Sequence, residues 1–304
     1  MENILVVIDG SDTDEMLLNQ ALSLVEGGDT DIHILMSVYD QVEELHKYVG
    51  FDNYPEVKQA ILDDAEIKLR VLTDKFADRF SSNMAWGKRW HEPVLQEARN
   101  IDADLIIKVA GKQSWLSEVL RTPEDWQLLR EARCPVWLLN APRQPIDKVI
   151  AAVSTLDESP EHSTLGDRVI VQAEALAASL KVPLQVVAVI PDWNASRAAM
   201  AYVPPIPAQT VYLGDIGAQA LQESRERLVA ILERLDIDAE KAEVRTGTLT
   251  LEIIDAVGDQ GLLVIGSAAH RGLAGKFIGN SSEKVLHHLK ADMLVVISSS
   301  LVAH

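Results

Sequence analysis

Leu262 to Ser298, LLVIGSAAHRGLAGKFIGNSSEKVLHHLKADMLVVIS, is the stretch from which the fold can be read. Leu262 to Ile265 is a short continuous apolar run, the mark of a strand covered on both faces in a parallel sheet. Gly266 opens a loop that Gly279 closes, Asn280 caps a helix, and Met293 to Ile297 forms a second buried strand. The unit is βαβ. A glycine-rich loop that runs into a helix N-terminus presents unpaired backbone N–H groups and the positive end of the helix dipole, so it suits a phosphate. The hydroxyls of Ser281 and Ser282 follow at once.

Working outward, the first half carries the same alternation. Strands are predicted at Ile4 to Ile8, Ile32 to Val38, Met84 to Trp90, Asp104 to Ala110 and Cys134 to Leu139. Helices are predicted at Met16 to Val25 and Pro93 to Asn100, with another starting at Thr122 and Pro123. A long helix carries Val57, Ile61, Ala65, Leu69, Leu72, Phe76 and Phe80 on one face. Tyr39 to Pro55 reads as a loop. The second half repeats this order: Val149 to Val153 matches Ile4 to Ile8, Leu184 to Ile190 matches Ile32 to Val38, and Met293 to Ile297 matches Pro135 to Leu139, at offsets of 145, 152 and 158 residues. APRQP, Ala141 to Pro145, lies between the copies as a polar, proline-rich linker. The expected domains are 1–140 and 146–304. Limited proteolysis should cut first near the linker or within Asp192 to Gly214.

The loop resembles the nucleotide loop of the universal stress protein family, Gly-x2-Gly-x9-Gly-(Ser/Thr). Here it reads Gly266, two residues, Ala269, nine residues, Gly279, then Asn280 and Ser281. The second glycine is replaced, and the Gly-Asn-Ser ending and tandem arrangement are similar to the E-type members. The resemblance implies an α/β fold of two tandem open parallel five-stranded sheets, strand order 3-2-1-4-5, with helices on both faces and the halves packed as a pseudo-dimer. It also implies fifth strands that meet antiparallel. It makes Gly266, Ser267, Ala269, Gly279, Asn280, Ser281 and Ser154 the candidate nucleotide contacts, with Asp9 in a degenerate first site.

In the family an acidic residue after strand one holds the adenine end, and the glycine loop holds ribose and phosphates. The two features are divided here. Half one keeps Asp9, but its helix begins Thr122, Pro123, Glu124, Asp125, which puts carboxylates where a phosphate would sit. A helix N-terminus favours an anion by roughly 0.3 to 1 kcal/mol, whereas a like charge at about 4 Å costs about 1 kcal/mol in water and about 4 where partly buried, so repulsion wins. Half two keeps the loop, with His270, Arg271 and Lys276 nearby, but has Ser154 in place of the acid. That loop either holds phosphates along an altered path or only links strand to helix. ATP or another adenine nucleotide is the cofactor to expect there, weakly bound.

Composition narrows the remaining classes. The net charge is -18, with 15 basic and 26 acidic residues up to Pro145 and 13 and 20 after it. No dense basic cluster offers a nucleic-acid surface. One cysteine, Cys134, makes neither an internal disulfide nor a metal cluster, and His287 and His288 point to different helix faces. With no leader and no run of roughly 20 apolar residues, the chain is expected to be soluble and cytoplasmic, a monomer or weak homodimer without membrane insertion. Missing SGGxDS, HIGH, Gx4GK[ST] and GxGxxG signatures argue against an enzyme. The segment Asp192 to Gly214, with Trp193, Tyr202 and three prolines, is either a lid over an apolar, lipid-like small ligand or a packing surface.

Overall fold

The structure is a computed structural model that describes residues 2–25, 30–76, 80–111, 123–140, 145–157, 159–192, 213–267 and 280–298, without the side chains of 213–216 and 280–283. The chain divides into two compact units, Met1–Arg143 and Gln144–His304.

In the first unit the strands are β1 (Asn3–Ile8), β2 (Asp31–Val38), β3 (Phe80–Trp86), β4 (Leu105–Val109) and β5 (Val136–Leu139). They pair in the order β3-β2-β1-β4-β5, all parallel, with Ile4 opposite both Ile32 and Leu105, and Ile106 opposite Val136. The inner strands are apolar and buried, Ile4, Leu5 and Val6 completely, as a sheet covered on both faces requires. The helices are α1 (Asp14–Ser23), α2 (Val42–Val49), α3 (Tyr54–Asp74), α4 (His91–Asn100) and α5 (Pro123–Glu131). Steps from β1 to β3 run one way across the sheet and steps from β3 to β5 the other. Right-handed crossovers therefore place α1 and α3 on one face and α4 and α5 on the opposite one. Contacts agree: α1 lies on β1 and β4, α3 on β2 and β3, and α4 against α5.

The second unit repeats the plan with β6 (Lys148–Val153), β7 (Leu184–Ile190), β8 (Ala242–Thr246), β9 (Gly261–Ser267) and β10 (Asp292–Ile297), paired in parallel as β8-β7-β6-β9-β10. Its helices are α6 (Pro160–Leu180), α7 (Leu213–Arg234), α8 (Leu249–Val257) and α9 (Asn280–His288). Each unit thus has the strand order 3-2-1-4-5 when counted from its own first strand.

Four expectations need correction. Tyr39 to Pro55 is not all loop: α2 forms there with no buried residue, and its apolar side chains Leu45, Tyr48 and Val49 are 55%, 85% and 67% exposed. Glu43 at its start and Lys47 at its end suit the helix dipole and pair at 2.9 Å, while the Trp86 indole donates to Glu43 at 2.7 Å. Phe80 leaves the helical face and opens β3, which runs to Trp86 rather than from Met84 to Trp90. β3 is an edge strand with exposed Ser81, Ser82 and Asn83, so it lacks the apolar run that marks an inner strand. Cys134 precedes β5; burial raises its thiol pKa to about 12, which makes it unreactive. Gly266 does not open a loop but lies inside β9, opposite Val296 of β10.

Pairing also corrects the internal match. Ile106 faces Val136 and Leu263 faces Met293, so Val136 rather than Pro135 matches Met293. The shift, 293 less 136, is 157 residues, and it also carries Pro123–Glu131 of α5 onto Asn280–His288 of α9. The fourth-strand-to-fifth-strand segment therefore has the same length in both units. Residue by residue, Ala110 matches Ser267, Gly111 matches Ala268, and Asp125 matches Ser282.

Candidate functional site

In an open parallel sheet a ligand meets the carboxyl ends of the strands where the chain order reverses. In the first unit that point lies between β1 and β4. Asp9 follows β1, is exposed, and accepts a bond from the Ser11 N–H at 3.2 Å. In the second unit Ser154 follows β6, is also exposed, and accepts from the Leu156 N–H at 3.3 Å. Both side chains make the same two-residue turn, so the serine reproduces the backbone geometry of the aspartate without its charge.

Behind Asp9 lies a residue that the sequence reading did not single out. Asp14 is 5% exposed, and its carboxylate accepts from the backbone N–H groups of Asp9 at 3.4 Å and Gly10 at 2.8 Å. Burial, then the neighbouring Asp9 charge, raises its pKa to about 6 against the pull of those bonds. Gly10, at φ +80°, lets this turn form against Met36. A raised carboxyl pKa means that the folded state binds the proton more tightly than the unfolded state does. The group's stabilising contribution is complete near pH 4 and is lost as pH rises through about 6. Relative to the parent, Asp14→Asn should therefore gain up to about 3 kcal/mol between pH 4 and pH 8 in urea unfolding. A stability difference flat across that range would contradict this assignment.

In the first unit, 112–122 of the segment between β4 and α5 fall outside the described residues, but a side chain of α5 reaches Gly111 just before them. Asp125, fully buried in the first turn of α5, accepts from the Gly111 N–H at 2.9 Å. Its other carboxylate oxygen lies 3.6 Å from Lys108 Nζ. Lys108, on β4, is 12% exposed, donates to the Val109 carbonyl at 2.7 Å and lies 4.5 Å from the centre of the Trp90 ring. Glu124, beside Asp125, is half-buried. Of the two carboxylates read as opposing a phosphate, Asp125 is thus turned to the Gly111 N–H of its own chain.

In the second unit the corresponding loop, with Ala269 and Gly279, falls outside the described residues. Asn280 and Ser281 are placed as the first two residues of α9. Ser267 ends β9, is 1% exposed, and its hydroxyl has no hydrogen-bond partner among the described residues. Gly266 has a packing explanation: a Cβ there would come within 2.7 Å of Leu165 Cγ on α6. Across the turn from Ser154, Thr155 is buried with its hydroxyl 2.6 Å from that of Ser224, and Arg227 donates to its carbonyl at 3.1 Å. Ser224 and Arg227 lie on α7, more than one helix distant in sequence, and no short motif announces them.

The proline-rich lid of the sequence reading falls almost wholly in 193–212, outside the described residues. A cavity of about 360 Å³ instead lies in the first unit, between the start of α1 and α3, walled by Ile8, Met36, Leu69 and Leu72 with Asp14 and Lys75. A comparable cavity was not expected there. Among the described residues no group of metal-binding side chains is found, and no helix is long and apolar enough to cross a membrane.

Two open parallel sheets in tandem, each with a loop-to-helix junction after its fourth strand, define a duplicated α/β protein of the doubly wound kind. The Universal stress protein family matches residues 1–140 and 148–296, and the chain belongs to that family. Universal stress protein E of Salmonella typhi is 26% identical over 302 residues, covering 97% of this chain and 94% of that one. The Universal stress protein E homolog of Haemophilus influenzae is 26% identical over 320 residues, covering 96% of each. A solved structure of a putative universal stress protein from Pseudomonas aeruginosa is similar with a TM-score of 0.72 at 26% identity, over 100% of this chain and 96% of that one.

Proposed function

We propose that this tandem universal stress protein is a non-catalytic stress-response binding protein whose second unit takes a nucleotide such as ATP by its phosphates at the start of α9. The observation that carries the reading is the contrast at matched positions. Pro123, Glu124 and Asp125 open α5, and Asp125 occupies the loop N–H; Asn280, Ser281 and Ser282 open α9 and bring no charge. Ser267 adds a buried hydroxyl at the entrance of the same loop. With Ser154 replacing the acid, adenine selectivity is poor and affinity weak.

Turnover is not expected, because among the described residues of the second unit no nucleophile, base and orienting group line up as a relay. Asp157, Ser159 and His162 do come together, but Ser159 Oγ at 2.8 Å and Asp157 at 3.0 Å face the same ring nitrogen, Nδ1. A relay needs the two oxygens on opposite nitrogens, and these two share one. Calorimetric titration with ATP and GTP tests the proposal. Binding should be similar for both nucleotides, lost in Gly279→Glu and unchanged in Asp9→Ala. Loss in Asp9→Ala alone, or steady ATP hydrolysis by pure protein that a loop substitution abolishes, would overturn it.

A further inference from the structure

We infer that Ser81 is an acyl acceptor, a serine that takes an acyl group from an activated ester, with His33 as its base and Asn3 as the residue that positions His33. The inference rests on three side chains of the first unit and not on the nucleotide reading of the second. Strand register brings them together. Ser81 of β3 lies directly opposite His33 of β2, and Asn3 of β1 lies on the same sheet face, two residues before Leu5, which is opposite His33. The Ser81 hydroxyl is 2.5 Å from His33 Nδ1, and the Asn3 amide oxygen is 3.4 Å from His33 Nε2. An amide oxygen only accepts, so Asn3 fixes the ring proton on Nε2 and leaves the Nδ1 lone pair for the Ser81 O–H. Nucleophile and orienting group thus hold opposite ring nitrogens, the arrangement that lets a histidine take a proton from a hydroxyl. Ser81 is exposed while His33 and Asn3 are half-buried, so the hydroxyl is open to a donor and the base is held from behind.

The step is an acyl transfer. Ser81 Oγ attacks the carbonyl carbon of a thioester or aryl ester, and its proton passes to His33 Nδ1. The Oγ–C bond forms and the bond from that carbon to the leaving sulfur or oxygen breaks. The departing thiolate or phenolate takes the proton from the imidazolium, which restores His33 and leaves Ser81 as an ester. The donor has to be activated: a thiolate, whose thiol has a pKa of about 8.5, departs unaided, whereas the amine of an amide must be protonated as it leaves. Two other serines supply contrasts. Ser82 is also exposed, but it points to the other face of β3, away from His33. Ser159 faces Nδ1 of His162, but so does the Asp157 carboxylate. A carboxylate on Nδ1 draws the ring proton to that nitrogen, which then has no lone pair for the Ser159 hydroxyl.

The experiment treats the full chain with p-nitrophenyl acetate and follows acetylation of each serine over time by peptide mass spectrometry. Ser81 should be acetylated at least roughly 100-fold faster than Ser82 and Ser159 of the same chain, the lower end of what a positioned base contributes. His33→Gln should lower the Ser81 rate by a similar factor. Asn3→Asp, which keeps an acceptor on Nε2, should retain most of the rate, and Asn3→Leu, which removes it, should not. That split separates positioning from folding, because both variants leave the strand in place. Equal rates at Ser81 and Ser82 in the parent would overturn the inference without any variant having to fold, as would a folded His33→Gln chain as fast as the parent. Asn3→Leu acetylated at the parental rate would remove Asn3 from the account. Phenolate release that continues beyond one equivalent and is lost in Ser81→Ala would support Ser81 as the nucleophile and overturn the non-catalytic reading instead. Failure of the second unit to bind ATP would leave all these results unchanged, so the two readings fail separately.

Discussion

Exchange of Lys108 for methionine is expected to destabilise the first unit by about 1 to 3 kcal/mol, the cost of removing one charged partner from the fully buried Asp125. Methionine replaces the alkyl stem of lysine, so packing against Trp90 is largely kept and the lost term is the charge beside Asp125. The comparison that makes this decisive is with an exposed pair. Lys75 and Glu15 approach more closely, at 2.6 Å, yet their side chains are 50% and 53% exposed, and such a pair contributes less than about 1 kcal/mol. Urea unfolding followed by tryptophan fluorescence measures both. Lys108→Met together with Asp125→Asn should recover part of the loss, because the buried charge that Lys108 faced is gone. A Lys108→Met effect no larger than that of Lys75→Met would show that Asp125 does not depend on Lys108.

Gly266→Val is expected to cost the second unit about 2 to 3 kcal/mol. Valine occupies the matching position in the first unit, at Val109, so the strand itself tolerates it. At Gly266, however, a Cβ would meet Leu165 Cγ at 2.7 Å and Cδ2 at 2.8 Å. Leu165 is buried in α6, packed onto β6 and β9, and has little room to retreat. Adding Leu165→Ala should return part of the stability by making space. If Gly266→Val left stability unchanged and weakened nucleotide binding instead, the packing account of this glycine would fail.

The strands were legible wherever burial on both faces imposed an apolar run. Ile4 to Ile8, Ile32 to Val38 and Leu184 to Ile190 sit within a residue of their places in the structure. β3 was displaced because an edge strand answers to solvent on one side, and SSN at Ser81 to Asn83 carries no inner-strand signal. α2 was missed because its apolar residues face outward, and helix recognition from periodicity assumes a buried face. At the site, Asp9 and Ser154 could be placed from their positions after a strand. Lys108 could not be singled out, because one lysine in an apolar strand gains meaning only when the fold brings α5 beside it. Asp125 was legible as a charge at a helix start. Its role as an internal ligand required seeing Gly111 N–H pointed at it. Ser224 and Arg227 meet Thr155 only through the packing of α7, a relation between residues about 70 positions apart.

The central claim is that the two units divide the ancestral site, with an anion built into the first and a place for one in the second. Its most direct test is native mass spectrometry of the full chain titrated with ATP, which counts ligands per molecule. The account predicts a single specifically bound ATP, retained in Asp9→Ala and absent in Gly279→Glu. Two ATP molecules bound to the parent chain, or one that survives Gly279→Glu, would contradict it.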